Sequence, residues 1–133
     1  GGYTAHVITK HHGASAYYQG SVISYANERK EQVLSVPNDI LKTKGAVSEE
    51  TVTLMAESVR KLMKTDYALA VSGIMGPGGD SHEKPVGMVW VAAASEEKTM
   101  TQLFQFRFDR SRNIELTAIN ALNLLRQLIL SKH

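Results

Sequence analysis

The sequence predicts one α/β domain in which helices cover both faces of a mixed β-sheet, so that the chain forms three layers. Helical and strand-like segments both occur along the chain, and two of the strand-like runs, 67–71 and 86–94, are almost continuously apolar. Strands that are buried on both faces of a sheet have this composition. A length of 133 residues suits one domain of this kind.

The first half of the chain is predicted to be mainly helical. In order, we expect the end of a helix at 3–9, a strand at 20–25, a helix at 28–34, a short turn that begins at Asn38 or Asp39 and reaches Leu41, and a helix at 48–64. The last of these has the clearest signals. Ser48 is a typical N-cap, two glutamates follow it, and apolar residues recur at helical spacing.

The second half predicts three strands and a closing helix. The strands are expected at 67–71, 86–94 and 101–108, and the helix from Asp109 or Ser111 to Leu128. In the third strand, phenylalanines alternate with polar residues, so one face is expected to meet solvent. The short link 95–98 predicts a hairpin between the second and third strands.

Composition excludes several classes of protein. The chain has no cysteine, which excludes disulfides and thiolate metal sites, and its histidines lack carboxylate partners at metal-ligand spacing. A net charge of +2 without a basic stripe argues against nucleic-acid binding. Because no signal peptide and no apolar run of about 20 residues are visible, we expect a cytoplasmic protein that does not bind membranes.

A glycine-rich segment, 72–80, follows the first apolar strand directly and reads SGIMGPGGD. Ligands of α/β proteins bind beyond the carboxyl ends of strands, and glycines let backbone N–H groups approach a ligand. The segment matches neither a Walker A loop nor Gly-x-Gly-x-x-Gly. From spacing alone, a ligand site and a plain connection between strands both remain open.

Two further segments carry groups that could take part in chemistry. Lys30, near the start of a helix, could act as a base if burial lowered its pKa, and with a hydroxyl it would form a Ser-Lys dyad; a solvated surface lysine is the alternative. Arg110 and Arg112 lie where a strand gives way to a helix and could clamp a phosphate, or could form surface ion pairs.

Taken together, the motifs resemble those of one known family. Residues 15–30, SAYYQGSVISYANERK, are similar to S-x-Y-F-x-G-G-V-V-x-Y-S-N-x-x-K, and residues 45–50 read G-A-V-S-E-E. Residues 72–79 and 84–87 are similar to T-G-I-A-G-P-G-G…K-P-V-G, and 109–110 with 121–122 fit G-D-R…A-L. The whole chain thus resembles the C-terminal domain of the CinA, or competence-damage-inducible, family.

The resemblance implies an amidohydrolase that converts nicotinamide mononucleotide to nicotinic acid mononucleotide and ammonia, without a metal or cofactor, by a serine nucleophile and a lysine base. By position, Lys30 would be the base, Tyr25 a neighbour of the dyad, and Ser72 would replace the family's threonine. The implied substrate-binding residues are Ser15, Asn27, Gly73, Gly76, Gly78 and Gly79, with Arg110 or Arg112 at the phosphate.

One part of the family motif is not in this sequence. Gly1-Gly2 resembles the end of A-E-S-C-T-G-G, whose serine is the nucleophile. We therefore expect the nucleophile and the first strand to lie upstream of residues 1–133, and this chain alone to be catalytically incompetent. The alternative is a non-catalytic nucleotide-binding or regulatory module. The partners expected are a small-molecule nucleotide and further copies of the chain, for example in a dimer.

Overall fold

A computed structural model describes residues 1–131 and contains five α-helices, one 3-10 turn and three strands in that range. They are α1 (Tyr3–Thr9), the 3-10 turn (Ala14–Ala16), α2 (Asn27–Leu34), α3 (Asn38–Thr43), α4 (Glu49–Met63), β1 (Tyr67–Gly73), β2 (Met88–Ser95), β3 (Thr99–Gln105) and α5 (Arg110–Leu130).

The helix starts follow the local signals. The Ser48 side chain accepts a hydrogen bond from the Thr51 N–H at 3.2 Å and so caps α4, as the sequence predicts. Asp109 caps α5 in the same way, accepting from the Arg112 N–H at 2.8 Å. These caps fix where the two longest helices begin.

The sheet has the order β1-β2-β3, and both of its pairings are antiparallel. The predicted hairpin between the second and third strands is confirmed, but the prediction of a mixed sheet is wrong for the described residues. Neighbouring parallel strands need a crossover of a dozen or more residues, usually a helix. The connections between these strands contain no helix, and each strand turns back beside its predecessor.

The three-layer α/β arrangement is confirmed by two apolar cores on opposite faces of the sheet. On one face, α4 packs on β1 and β2 around Ala70, Ala92 and Ala94, and α2 and α3 pack against α4 in the same core. On the other face, α5 packs around Val89, Val91 and Ala93. The central strand β2 therefore contributes to both cores, in agreement with its apolar sequence.

Residues 20–25 do not form the predicted strand. The structure gives residues 18–25 neither a helix nor a strand partner among the described residues. Ile23 is 59% exposed and Tyr25 79% exposed. Since a strand is defined by hydrogen bonds to a neighbour, the apolar run alone does not create one.

Over the described range 1–131, none of the helices has both the length and the apolar character that crossing a bilayer requires. In the same range, no group of three or more histidine, aspartate or glutamate side chains is arranged to hold a metal ion.

Candidate active site

Lys30 is the buried amine of the site. It lies one helical turn before Leu34 on the inner face of α2, and only 6% of its surface is exposed. Its Nζ donates to the carbonyl oxygens of Ser24, at 2.6 Å, and Tyr25, at 3.5 Å. Within the described residues Lys30 forms no ion pair with a carboxylate. Burial removes water from the ammonium and lowers the pKa of Lys30 below its ordinary value of 10.5.

Ser72 lies on the same side of the sheet as Lys30. It is two residues from Ala70, whose side chain faces α4, and strand side chains two residues apart share a face. Trp90, directly opposite Ser72 on β2, packs against that same core. The Ser72 hydroxyl is half-buried at the end of β1, before the glycine-rich loop that we define as residues 74–79.

The glycine-rich loop carries unpaired N–H groups. Within the described residues, the backbone N–H groups of Gly76, Gly78 and Gly79 donate no hydrogen bond. Gly76 and Gly79 have φ near +90°, which side-chain-bearing residues rarely adopt, and a Cβ on Gly76 would lie 2.5 Å from Val86 Cγ1. The glycines therefore permit a turn that leaves these three backbone donors unpaired within the described residues.

The start of α5 adds a cation to this loop. Arg110 Nη1 donates to the Gly76 carbonyl oxygen at 3.0 Å. A cavity of about 570 Å³ opens beside this contact. It is lined by Met75, Gly76, Pro77, Val86, Phe108, Asp109, Arg110 and Ser111. A guanidinium has five N–H donors, so Arg110 keeps donors for a ligand in the cavity.

The other predicted residues have different surroundings. Arg112 does not line the cavity; its guanidinium pairs with Glu115 at 3.1 Å on the surface. Asn27 is exposed at the start of α2, and the Tyr25 side chain points to solvent while its carbonyl meets Lys30. Gly73 allows β1 and β2 to pack closely, since a Cβ there would lie 2.6 Å from Val89 Cγ2.

Ser15 is separate from the glycine-rich loop. It is exposed in the 3-10 turn and lines a second cavity of about 410 Å³. That cavity is formed by Thr9, His11, His12, Gly13, Ala14, Ser15 and Tyr18. It shares no lining residue with the cavity at Arg110, so the structure does not bring Ser15 together with the other predicted residues.

Sequence reasoning missed two residues that anchor the connection between β1 and β2. Lys84 Nζ donates to the carbonyl oxygen of Lys44, which joins the connection after β1 to the end of α3. Asn113, in the first turn of α5, donates to the Met75 carbonyl at 3.0 Å. One signal in the sequence could have identified Asn113. It lies four residues before Thr117 on the buried stripe of α5, and a buried amide without a hydrogen-bond partner would be costly, so a partner is expected.

Fold and site together define a three-layer α/β domain in which a buried lysine lies on the same side of the sheet as the strand that ends in a glycine-rich loop. The chain belongs to the CinA family: the model of the "CinA C-terminal domain" matches residues 1–129.

Known relatives agree with this assignment. The chain is 49% identical over 127 residues to a CinA-like protein of Cytophaga hutchinsonii and 43% identical over 132 residues to one of Amoebophilus asiaticus. These alignments cover 96% and 99% of this chain, but only 30% and 32% of those proteins. The chain therefore spans about a third of the length of these relatives.

Solved structures match the fold closely. The competence/damage inducible protein CihA from Agrobacterium tumefaciens aligns with a TM-score of 0.94 and 34% identity, over 96% of this chain and 79% of that one. The competence damage-inducible protein A of Klebsiella pneumoniae also gives a TM-score of 0.94, with 31% identity over 98% of this chain and 81% of that one. The family assignment thus holds in both sequence and structure.

Proposed function

We propose that this domain is the amidohydrolase part of a protein that converts nicotinamide mononucleotide to nicotinic acid mononucleotide and ammonia. The observation that carries the proposal is Lys30, a buried amine that meets main-chain carbonyls and, among residues 1–131, no carboxylate. A lysine whose pKa is lowered by burial can be neutral and accept a proton, which an ion-paired lysine cannot readily do.

The nucleophile in this proposal is a serine upstream of Gly1, as the family motif implies. Lys30 takes the proton of that hydroxyl while the oxygen forms a bond to the carboxamide carbon. The electron pair of the C=O bond moves to the oxygen and gives a tetrahedral oxyanion. The unpaired N–H groups of the glycine-rich loop are donors of the type that stabilise such an oxyanion.

Ammonia leaves when the tetrahedral intermediate collapses. The C–N bond breaks, and the protonated Lys30 gives its proton to the departing nitrogen. Lys30 then takes a proton from water as the water oxygen attacks the acyl carbon. Collapse of the second intermediate breaks the ester bond, and the proton returns to the serine oxygen. The same amine thus serves both half-reactions.

Substrate binding is assigned to the cavity at the start of α5. Arg110 and Gly76 line this cavity, and Arg110 is the cation that we propose for the phosphate. Gly78 and Gly79 are not among the lining residues, and we propose that their unpaired N–H groups contact the substrate from the adjoining part of the loop. Ser72 is proposed to hold the nucleophile or the oxyanion through its hydroxyl. Asn27, Tyr25 and Ser15 remain predictions from the family resemblance.

The test measures ammonia release from nicotinamide mononucleotide by the full-length protein and its Lys30 variants. Lys30→Met removes the amine, and Lys30→Arg keeps the charge but cannot act as a base. We expect kcat to fall about 100- to 10,000-fold in both, the usual range for loss of a general base. Lys42→Met, at an exposed lysine of α3, is the matched control and should keep full activity.

Two results would count against the proposal. Undiminished turnover in folded Lys30→Met would exclude the lysine as the base. Binding of nicotinamide mononucleotide without turnover in the wild-type protein would instead favour the non-catalytic nucleotide-binding or regulatory module.

A further inference from the structure

The side-chain amide of Asn113 is buried, and its polar atoms all form hydrogen bonds with two loops. It has no exposed surface. Its Nδ2 donates to the carbonyl oxygens of Met75 and Phe108, both at 3.0 Å, and its Oδ1 accepts from the Phe108 N–H at 3.2 Å. One side chain therefore joins α5 to the glycine-rich loop and to the segment between β3 and α5.

This contact fixes the direction of a peptide group in the glycine-rich loop. The Met75–Gly76 peptide bond is trans, so its N–H points away from its carbonyl. Asn113 holds the Met75 carbonyl toward α5. The Gly76 N–H consequently points away from the Asn113 amide. Within the described residues this N–H has no acceptor, although Gly76 itself is buried.

Arg110, on the same helix, holds the next carbonyl group of the loop. Its Nη1 holds the Gly76 carbonyl oxygen at 3.0 Å, so two consecutive carbonyls of the loop are held by α5. Arg110 and Asn113 each hold one of these carbonyls, but their surroundings differ. Arg110 lines the open cavity. Asn113 lies beneath the loop and has no free donor for a substrate.

We propose that Asn113 is a positioning residue for the amide hydrolysis: by holding the Met75 carbonyl, it aims the Gly76 N–H at the oxyanion. This inference rests on the proposed function. Leucine, of similar size, would leave the two carbonyls and the Phe108 N–H without partners. Aspartate would keep an acceptor for the Phe108 N–H but would set a carboxylate against both carbonyls.

The test compares Asn113→Asp and Asn113→Leu with a matched change on the same helix. Asn120→Leu is the control, because the Asn120 amide donates to the Leu116 carbonyl within α5 and, in the part of the chain that the structure describes, holds no loop. Two kinds of measurement are made on the full-length protein: steady-state kinetics, which give kcat and KM for nicotinamide mononucleotide, and hydrogen exchange of the backbone amides within residues 74–79 without substrate. Circular dichroism melting verifies that each variant is folded.

We expect both Asn113 variants to lower kcat by about 10- to 100-fold, somewhat less than the roughly 100- to 1,000-fold loss on deleting an oxyanion donor, with KM changing less. Amide exchange in the glycine-rich loop should become about 10-fold faster or more, as expected when a held segment opens locally. Asn120→Leu should alter neither quantity. If Asn113→Leu does not fold, Asn113→Ser, which leaves room for a water, takes its place.

A folded Asn113→Asp protein with kcat within about twofold of wild type, or with unchanged loop exchange, would overturn the inference. An inactive wild-type protein would instead refute the proposed function. Loop exchange and the affinity for nicotinamide mononucleotide would then decide the role of Asn113 separately. If Asn113→Leu and Asn120→Leu showed the same loop exchange and the same affinity, a positioning role for Asn113 would be excluded.

Discussion

Arg110 and Arg112 are two residues apart in the first turn of α5, yet they face different surroundings. Arg110 holds the Gly76 carbonyl and lines the cavity, whereas Arg112 forms an ion pair with Glu115, and about half of its side chain is exposed. The sequence left open which of the two meets a phosphate. The difference in surroundings favours Arg110, because its partner belongs to the loop that the substrate is proposed to contact.

Separate substitutions test this assignment. We expect Arg110→Ala to lower kcat/KM for nicotinamide mononucleotide by roughly 10-fold or more, since a hydrogen bond to a charged group contributes about 1.5–3 kcal/mol. The loss should be smaller for nicotinamide riboside, which has no phosphate. Arg112→Ala should change neither value by more than about twofold, as is usual for a surface pair. Equal losses in the two variants would contradict the assignment.

At the scale of elements, the helices were predicted better than the sheet. The prediction of a helix at 48–64 differs from α4 by one residue at each end, because the cap and the apolar periodicity are local. The strand predicted at 20–25 and the mixed sheet were wrong, because strand pairing depends on distant parts of the chain. Within the site, burial of Lys30 could not be predicted from sequence either, since it depends on how α2 packs against the core.

The cap of α4 can be tested by one substitution. Ser48 accepts from the Thr51 N–H and donates to the Gly45 carbonyl at 3.0 Å, and it is itself buried. We expect Ser48→Ala to lower the free energy of unfolding by about 1–2 kcal/mol, measured by urea denaturation. Ser58→Ala, in the middle of the same helix, should cost less than about 0.5 kcal/mol. Equal costs would mean that the cap does not stabilise α4.

At the scale of the whole molecule, β2 has a sequence suited to its central position. Ala92 and Ala94 face the helices of one layer, and Ala93 faces α5 in the other. Side chains this small let helices approach both faces of the strand closely. The apolar run that identified this strand therefore also predicted the three layers. Association into a homo-oligomer, in the simplest case a dimer, stays a prediction.

The pH dependence of global stability follows from the burial of Lys30. Because burial lowers the pKa of Lys30 in the folded state, the unfolded chain binds more protons between that lowered pKa and 10.5. The contribution of Lys30 to the free energy of unfolding is therefore most favourable above pH 10.5, and this advantage is lost as the pH falls through the folded-state pKa. Relative to Lys30→Met, the wild-type protein should gain unfolding free energy as the pH rises from neutral toward 10.5.

Urea denaturation of both proteins at several pH values measures this difference. Lys42→Met serves as the control, because it removes an amine from an exposed position. A difference between wild type and Lys30→Met that stays constant with pH, or that falls as the pH rises, would contradict the burial argument.

The register of β1 and β2 has a practical consequence. The chain contains a single tryptophan, Trp90, directly across from Ser72 and packed partly within the core beneath α4. Its indole is a built-in fluorophore at the strand position that pairs with Ser72. Emission from this one ring can therefore follow ligand titrations in the unlabelled protein, without a second chromophore of the same kind in this chain to obscure the signal.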